Sequence, residues 1–170
     1  MKNKKTNLRK YRTVFIEVPR KNGKSTLCAA IGLYMLFADE ERGSEVYSAA
    51  GDRQQAGIVF EIAKGMILQS PELSERGKVF RNSIVNESKG NYYQAISSDS
   101  KTKHGFNANC IIFDELHTQP NRDLWDTLTT STGSSFIPFV VFTLVCLAAQ
   151  YLLIGKVTLR FIRGKNDEDP

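Results

Sequence analysis

Thr13-Val14-Phe15-Ile16-Glu17-Val18, followed after Pro19 by Arg20-Lys21-Asn22-Gly23-Lys24-Ser25-Thr26, is the stretch whose reading decides the fold. The apolar run reads as a strand, the residues up to Gly23 as a tight turn, and the apolar pattern after Lys24 as a helix. In such a turn, backbone N–H groups and the positive end of the helix dipole can surround phosphate oxygens. Gly23 would let the backbone approach closely. Lys24 would reach the outer phosphates, and the Ser25 hydroxyl would complete the coordination of Mg²⁺. In the usual G-x-x-x-x-G-K-[ST] pattern (Walker A) the first glycine falls at Val18, so this loop is a variant. A bland surface turn at a helix start explains many isolated Gly-Lys-Ser matches, so the loop needs a partner.

Cys110-Ile111-Ile112-Phe113-Asp114-Glu115 supplies one: an apolar strand ending in two carboxylates, as in a Walker B element. In open α/β sheets, ligands bind at the carboxyl edge of the strands. Asp114 is expected to hold Mg²⁺ through water, and Glu115 to orient or deprotonate the attacking water. Two solvated acids ending a strand are the alternative, and the pairing with the lysine loop decides between the two. Nucleotide hydrolysis with ATP and Mg²⁺ is the leading reading.

Glu17 to Ser25 resembles the variant phosphate loop of tailed-bacteriophage terminase large subunits, the motors that package DNA. Tyr47-Ser48-Ala49-Ala50, Arg53 with Gln55-Ala56, Ser70-Pro71-Glu72-Leu73 and Asp114-Glu115-Leu116-His117 recur in that family in the same order. The resemblance covers about Tyr11 to Gly133. It implies a P-loop α/β fold and a nucleotide contact from Arg20, with Arg20 and Glu115 as catalytic residues. The same resemblance makes residues Arg20 to Thr26 the nucleotide-binding loop. Its implied partners are double-stranded DNA, the portal, the small terminase subunit and further copies of the chain. The host cytoplasm is the implied location.

The chain also departs from that family. At 170 residues it allows one domain, with no room for the metal-dependent nuclease that follows the ATPase. The family's glutamine motif, which contacts adenine upstream of the loop, has no counterpart in the short stretch before the first strand. Past Gly133 the family carries a Thr-Thr-Ala-Gly coupling motif, whereas this chain reads Leu144-Val145-Cys146. The similarity is therefore expected to end near Gly133.

Ile137 to Gly155 is apolar apart from Thr143 and Gln150, about the 20 residues needed to cross a bilayer. Three readings stand: a membrane-spanning tail, a buried strand pair completing the sheet, or the product of a frameshift or recombination. The basic flank of Lys156, Arg160, Arg163 and Lys165 would lie on the cytoplasmic side. That would place the ATPase outside, away from ATP, which counts against an evolved anchor.

The net charge of +5 is compatible with a phosphate-rich partner without identifying one. The early cluster of Lys2, Lys4, Lys5, Arg9, Lys10 and Arg12 reads as a solvated terminus. The three cysteines form no C-x-x-C pair, which points to a reducing compartment and to neither a disulfide framework nor a zinc site.

Elements alternate. A helix is expected over Lys24–Ala38 with Leu27, Ile31, Tyr34 and Met35 along one face. A second, capped by Asp52, is expected to run to Gln69 with Ile58, Ile62, Met66 and Leu68 buried. Strands are expected at Glu45–Ala49, around Val79, at Ile84–Val85 and at Tyr92–Ile96, and a helix at Arg122–Thr130. This order implies a mostly parallel sheet with helices on both faces. The chain divides into a basic segment 1–12, an ATPase core 13–133, a hydrophobic segment 134–155 and a charged tail 156–170. Besides a packaging ATPase, an inactive remnant keeping the fold and a helicase-like ATPase are the alternatives.

Overall fold

The computed structural model describes residues 11–17, 22–97, 106–114, 122–130, 139–144 and 158–163. In chain order the elements are β1 (Tyr11–Glu17), α1 (Lys24–Phe37), β2 (Glu45–Ala50), α2 (Arg53–Gln69), α3 (Pro71–Arg76) and β3 (Lys78–Val79). Then come β4 (Ser83–Asn86), β5 (Asn91–Ser97), β6 (Ala108–Phe113), α4 (Asp123–Thr130), β7 (Phe139–Leu144) and β8 (Thr158–Arg163). Among the described residues the strands form one sheet in the order β3-β4-β5-β2-β6-β7-β1-β8. The neighbours β5, β2, β6, β7 and β1 are all parallel. The β3–β4 hairpin extends one edge antiparallel, and β8 closes the other edge against β1.

Strands in the middle of such a sheet are buried on both faces, so they read as continuous apolar runs. All six residues of β6 are buried. Cys110 and Ile112 face the core beneath α1 and α2, together with Val14, Ile16 and Val46. Ile111 and Phe113 face the opposite core with Tyr47, Ala49 and the α4 residues Leu124 and Leu128. Helices thus cover both faces, as the alternation of elements implied.

The buried faces of the two long helices differ from expectation. On α1 the buried residues are Cys28, Ala29, Gly32, Leu33, Met35, Leu36 and Phe37, whereas Leu27 and Tyr34 are exposed. This helix lies close to the sheet and needs small residues there. A Cβ on Gly32 would sit 3.2 Å from the Tyr93 ring and 3.3 Å from Ile112. On α2 the buried set is Ala56, Val59, Phe60, Ala63 and Ile67, with Ile58 and Leu68 exposed. Ile62 and Met66 are partly buried against the same core. The Asp52 cap is as expected, its carboxylate accepting from the Gln55 N–H at 2.8 Å. Ser70 ends α2 and caps α3, with Pro71 at the first helical position.

The last carbonyls of α1 are held by side chains from the β4–β5 hairpin. Asn91 is fully buried; its amide donates to Leu36 O and Glu41 O, both at 3.1 Å, and accepts from the Ser44 N–H at 2.9 Å. Asn86 donates to the same Leu36 carbonyl at 3.3 Å. The Lys89 ammonium donates to Phe37 O and Asp39 O, placing a cation at the negative end of the helix dipole.

The reading of 137–155 as one membrane-crossing helix is corrected for its described part. Residues 139–144 are β7, paired with β6 on one side and β1 on the other. Among the described residues no helix is long and apolar enough to cross a membrane. One strand of the expected pair is thus described within the segment, while β8, on the other side of β1, falls in the stretch read as a charged tail. Residues 145–155 lie outside the described residues.

Candidate functional site

β1 and β6 end at the same edge of the sheet with β7 between them, and the chain leaves each strand carrying polar residues. After β1, Asn22 and Gly23 are exposed at the start of α1. Gly23 has φ +72°, the left-handed conformation that a side chain disfavours, and it forms the N-cap of the helix. Gly23 offers no side chain to cap this terminus, and the first turn carries no acidic residue. The first turn of the helix therefore brings no acidic side chain of its own to the positive end of the dipole.

After β6, Asp114 is only 8% exposed, and its N–H donates to Ala49 O on the neighbouring β2 at 3.3 Å. Lys24, the first residue of α1, places its Nζ 2.7 Å from Asp114 Oδ1. The Ser25 hydroxyl donates to Asp114 Oδ2 at 3.2 Å, across 89 positions of sequence. The structure thus brings together Lys24, Ser25 and Asp114, three of the residues singled out in the sequence. Thr26 is exposed beside them. Arg20, Lys21 and Glu115 lie outside the described residues.

Cys28 is a site neighbour that the sequence reading placed only in the core. It stands one helical turn below Lys24 and is fully buried. Burial pushes its thiol up to about 12, the Asp114 carboxylate adds to the rise, and Lys24 opposes it. The thiol is neutral and does not compete for the lysine ammonium. The i,i+4 spacing from the loop lysine was the signal that could have found it.

These oxygens suit a hard divalent cation, because a carboxylate and a hydroxyl are the donors that magnesium prefers. Among the described residues no group of three or more His, Cys, Asp or Glu gathers to form an all-protein metal cage.

The family model for the terminase large subunit ATPase domain matches residues 3–143. The chain belongs to this family. It is 33% identical over 135 residues to the terminase large subunit of Enterobacteria phage HK97, a match covering 74% of this chain and 26% of that protein. The crystal structure of the HK97 large terminase superposes with a TM-score of 0.71 at 30% identity, covering 78% of this chain and 29% of that one. The large terminase ATPase domain of Thermus phage P74-26 shares the fold, with a TM-score of 0.58 at 18% identity, over 80% of this chain and 61% of that one. The chain spans about a quarter of the length of the curated relative it matches. The terminase match runs through residue 143 into β7, so the similarity does not stop at Gly133. It also disfavours the helicase-like alternative.

Proposed function

We propose that this terminase ATPase domain binds ATP at the edge formed by the start of α1 and the end of β6, and hydrolyses it. The observation that carries the proposal is the convergence of Lys24, Ser25 and Asp114, which unites the lysine loop with the acidic strand. In this reading the fold is a P-loop NTPase fold. The backbone from Arg20 to Thr26 cradles the phosphates, Lys24 contacts the outer ones, and Arg20 adds a second cation. Ser25 and Asp114 hold Mg²⁺, which when bound neutralises charge developing on the phosphate oxygens. Glu115 takes the proton of the attacking water. The low exposure of Asp114 keeps its carboxylate aimed and out of bulk solvent.

By family membership the hydrolysis serves DNA packaging in the host cytoplasm. The partners are double-stranded DNA, the portal, the small terminase subunit and further copies of the chain.

The test is phosphate release from Mg·ATP by the full chain and by Glu115→Gln. Loss of a general base slows the chemical step by roughly 10²–10⁴-fold while ATP binding stays near wild type. Unchanged turnover in Glu115→Gln moves the base to another residue.

A further inference from the structure

Asn22-Gly23 is the one Asn-Gly pair in the sequence, and it stands at the entry to α1. Both residues are exposed. Gly23 has no side chain to shield its N–H, and a Cβ built on it would meet nothing within 4 Å, so the turn faces open space. The Gly23 N–H is also one of the four donors that an α-helix leaves without an intrahelical partner. Other described asparagines differ. Asn86 and Asn91 are buried, with their amides held by the Leu36 carbonyl. Asn82 is exposed but is followed by Ser83, whose side chain hinders attack by its own nitrogen. We propose that Asn22 is a site of spontaneous deamidation, and that its products switch off phosphate binding by the loop. The first half stands on the geometry of this turn, and the second rests on the nucleotide reading above.

The step balances without a cofactor or an oxidant. Hydroxide removes the Gly23 amide proton, and the nitrogen attacks Asn22 Cγ. A C–N bond forms, the Cγ–Nδ2 bond breaks, and solvent returns the proton to the departing nitrogen, which leaves as ammonia. Water then adds to either carbonyl of the resulting succinimide and opens it to aspartate or isoaspartate. The positive end of the α1 dipole favours the anionic nitrogen on this path. Either product brings a carboxylate to the loop, where its charge opposes that of the phosphates. Isoaspartate also inserts a methylene into the main chain just before Gly23, whose carbonyl is tied to the Leu27 N–H at 2.9 Å. The loop then loses its register with the helix start. Bound nucleotide should protect Asn22, because a Gly23 N–H that donates to a phosphate oxygen is not free to attack.

The full chain held at pH 8.5, with and without Mg·ATP, tests this by mass spectrometry of a Glu-specific digest, in which cleavage after Glu17 separates Asn22 from Asn82. The peptide that begins at Val18 should gain one dalton and split into two forms, while the peptide with Asn82 stays unchanged over the same interval. Conversion should be slower at pH 6 and in Mg·ATP, and absent in Asn22→Gln, which would have to close a larger ring. By calorimetry the converted chain should bind Mg·ATP at least roughly ten-fold more weakly than fresh chain, and Asn22→Asp should be weakened in the same sense. An Asn22 that keeps its amide while the same chain unfolded in urea converts overturns the modification. Converted chain that binds Mg·ATP as fresh chain does overturns the switch. Fresh chain that binds no Mg·ATP overturns the nucleotide reading and the switch together, and the mass spectrum still decides the modification.

Discussion

Asn91→Ala removes a residue that is fully buried and makes three hydrogen bonds: two donated to Leu36 O and Glu41 O, one accepted from Ser44 N–H. Each such bond contributes about 1 kcal/mol net, and a buried donor left unpaired costs about 1–3 kcal/mol. The losses are unequal. Leu36 O keeps its bond from Asn86, while the Ser44 N–H loses the acceptor that Asn91 provides. The expected destabilisation is therefore about 2–4 kcal/mol, near the upper end for a change of this size. For a chain of this length that lowers Tm by roughly 4–16 °C. Asn86→Ala should cost less, about 1 kcal/mol, because Asn91 still serves the shared carbonyl. Asn91→Asp should be no rescue, since a carboxylate there accepts from Ser44 but faces two carbonyl oxygens. Urea unfolding followed by circular dichroism measures all three. Asn91→Ala within 0.5 kcal/mol of wild type, or no worse than Asn86→Ala, would refute the claim that this side chain anchors the end of α1 (threshold about the noise of a surface change).

Other expectations follow from single groups. The folded-state thiol of Cys28 is raised from 9.0 to about 12, so its contribution is fully present below pH about 9 and lost as pH climbs toward 12. Stability should fall with alkalinity over that window, by up to about 4 kcal/mol from this group. Burial raises the Tyr47 and Tyr93 hydroxyls too and acts in the same direction, so Cys28→Ala should flatten the decline only in part. Urea midpoints between pH 7 and 11 are the measurement. Asp52→Ala removes the acceptor of the Gln55 N–H and should cost about 1 kcal/mol; thermal unfolding of the variant checks it.

The parts of this protein written in local chemistry were legible in the sequence. The strand, the glycine turn and the helix start were readable from residue types alone, and Gly23 at positive φ, Lys24 and Ser25 stand there. Asp114 was recognisable because a carboxylate follows a run buried on both faces. What was not legible depends on tertiary packing. Of the face suggested by Leu27, Ile31, Tyr34 and Met35, Met35 is buried and Ile31 packs against the core, but Leu27 and Tyr34 are exposed and Cys28, Ala29 and Gly32 are buried, with Gly32 lying close to Tyr93 and Ile112. Phe139–Leu144 pairs between β6 and β1, and periodicity alone does not separate an apolar inner strand from part of a membrane span. Asn86 and Asn91 resembled ordinary turn punctuation, since nothing local announces that their amides reach α1 some 50 positions earlier.

The most direct measurement of the central claim is the affinity of the full chain for ATP in Mg²⁺, for wild type and Lys24→Ala. Removing the ammonium takes away a charge-assisted partner of the phosphates, worth about 1.5–3 kcal/mol, so binding should weaken by roughly 10- to 150-fold. Circular dichroism should show both proteins folded. Equal affinity in a folded Lys24→Ala chain would contradict the assignment of Lys24, Ser25 and Asp114 as the nucleotide site.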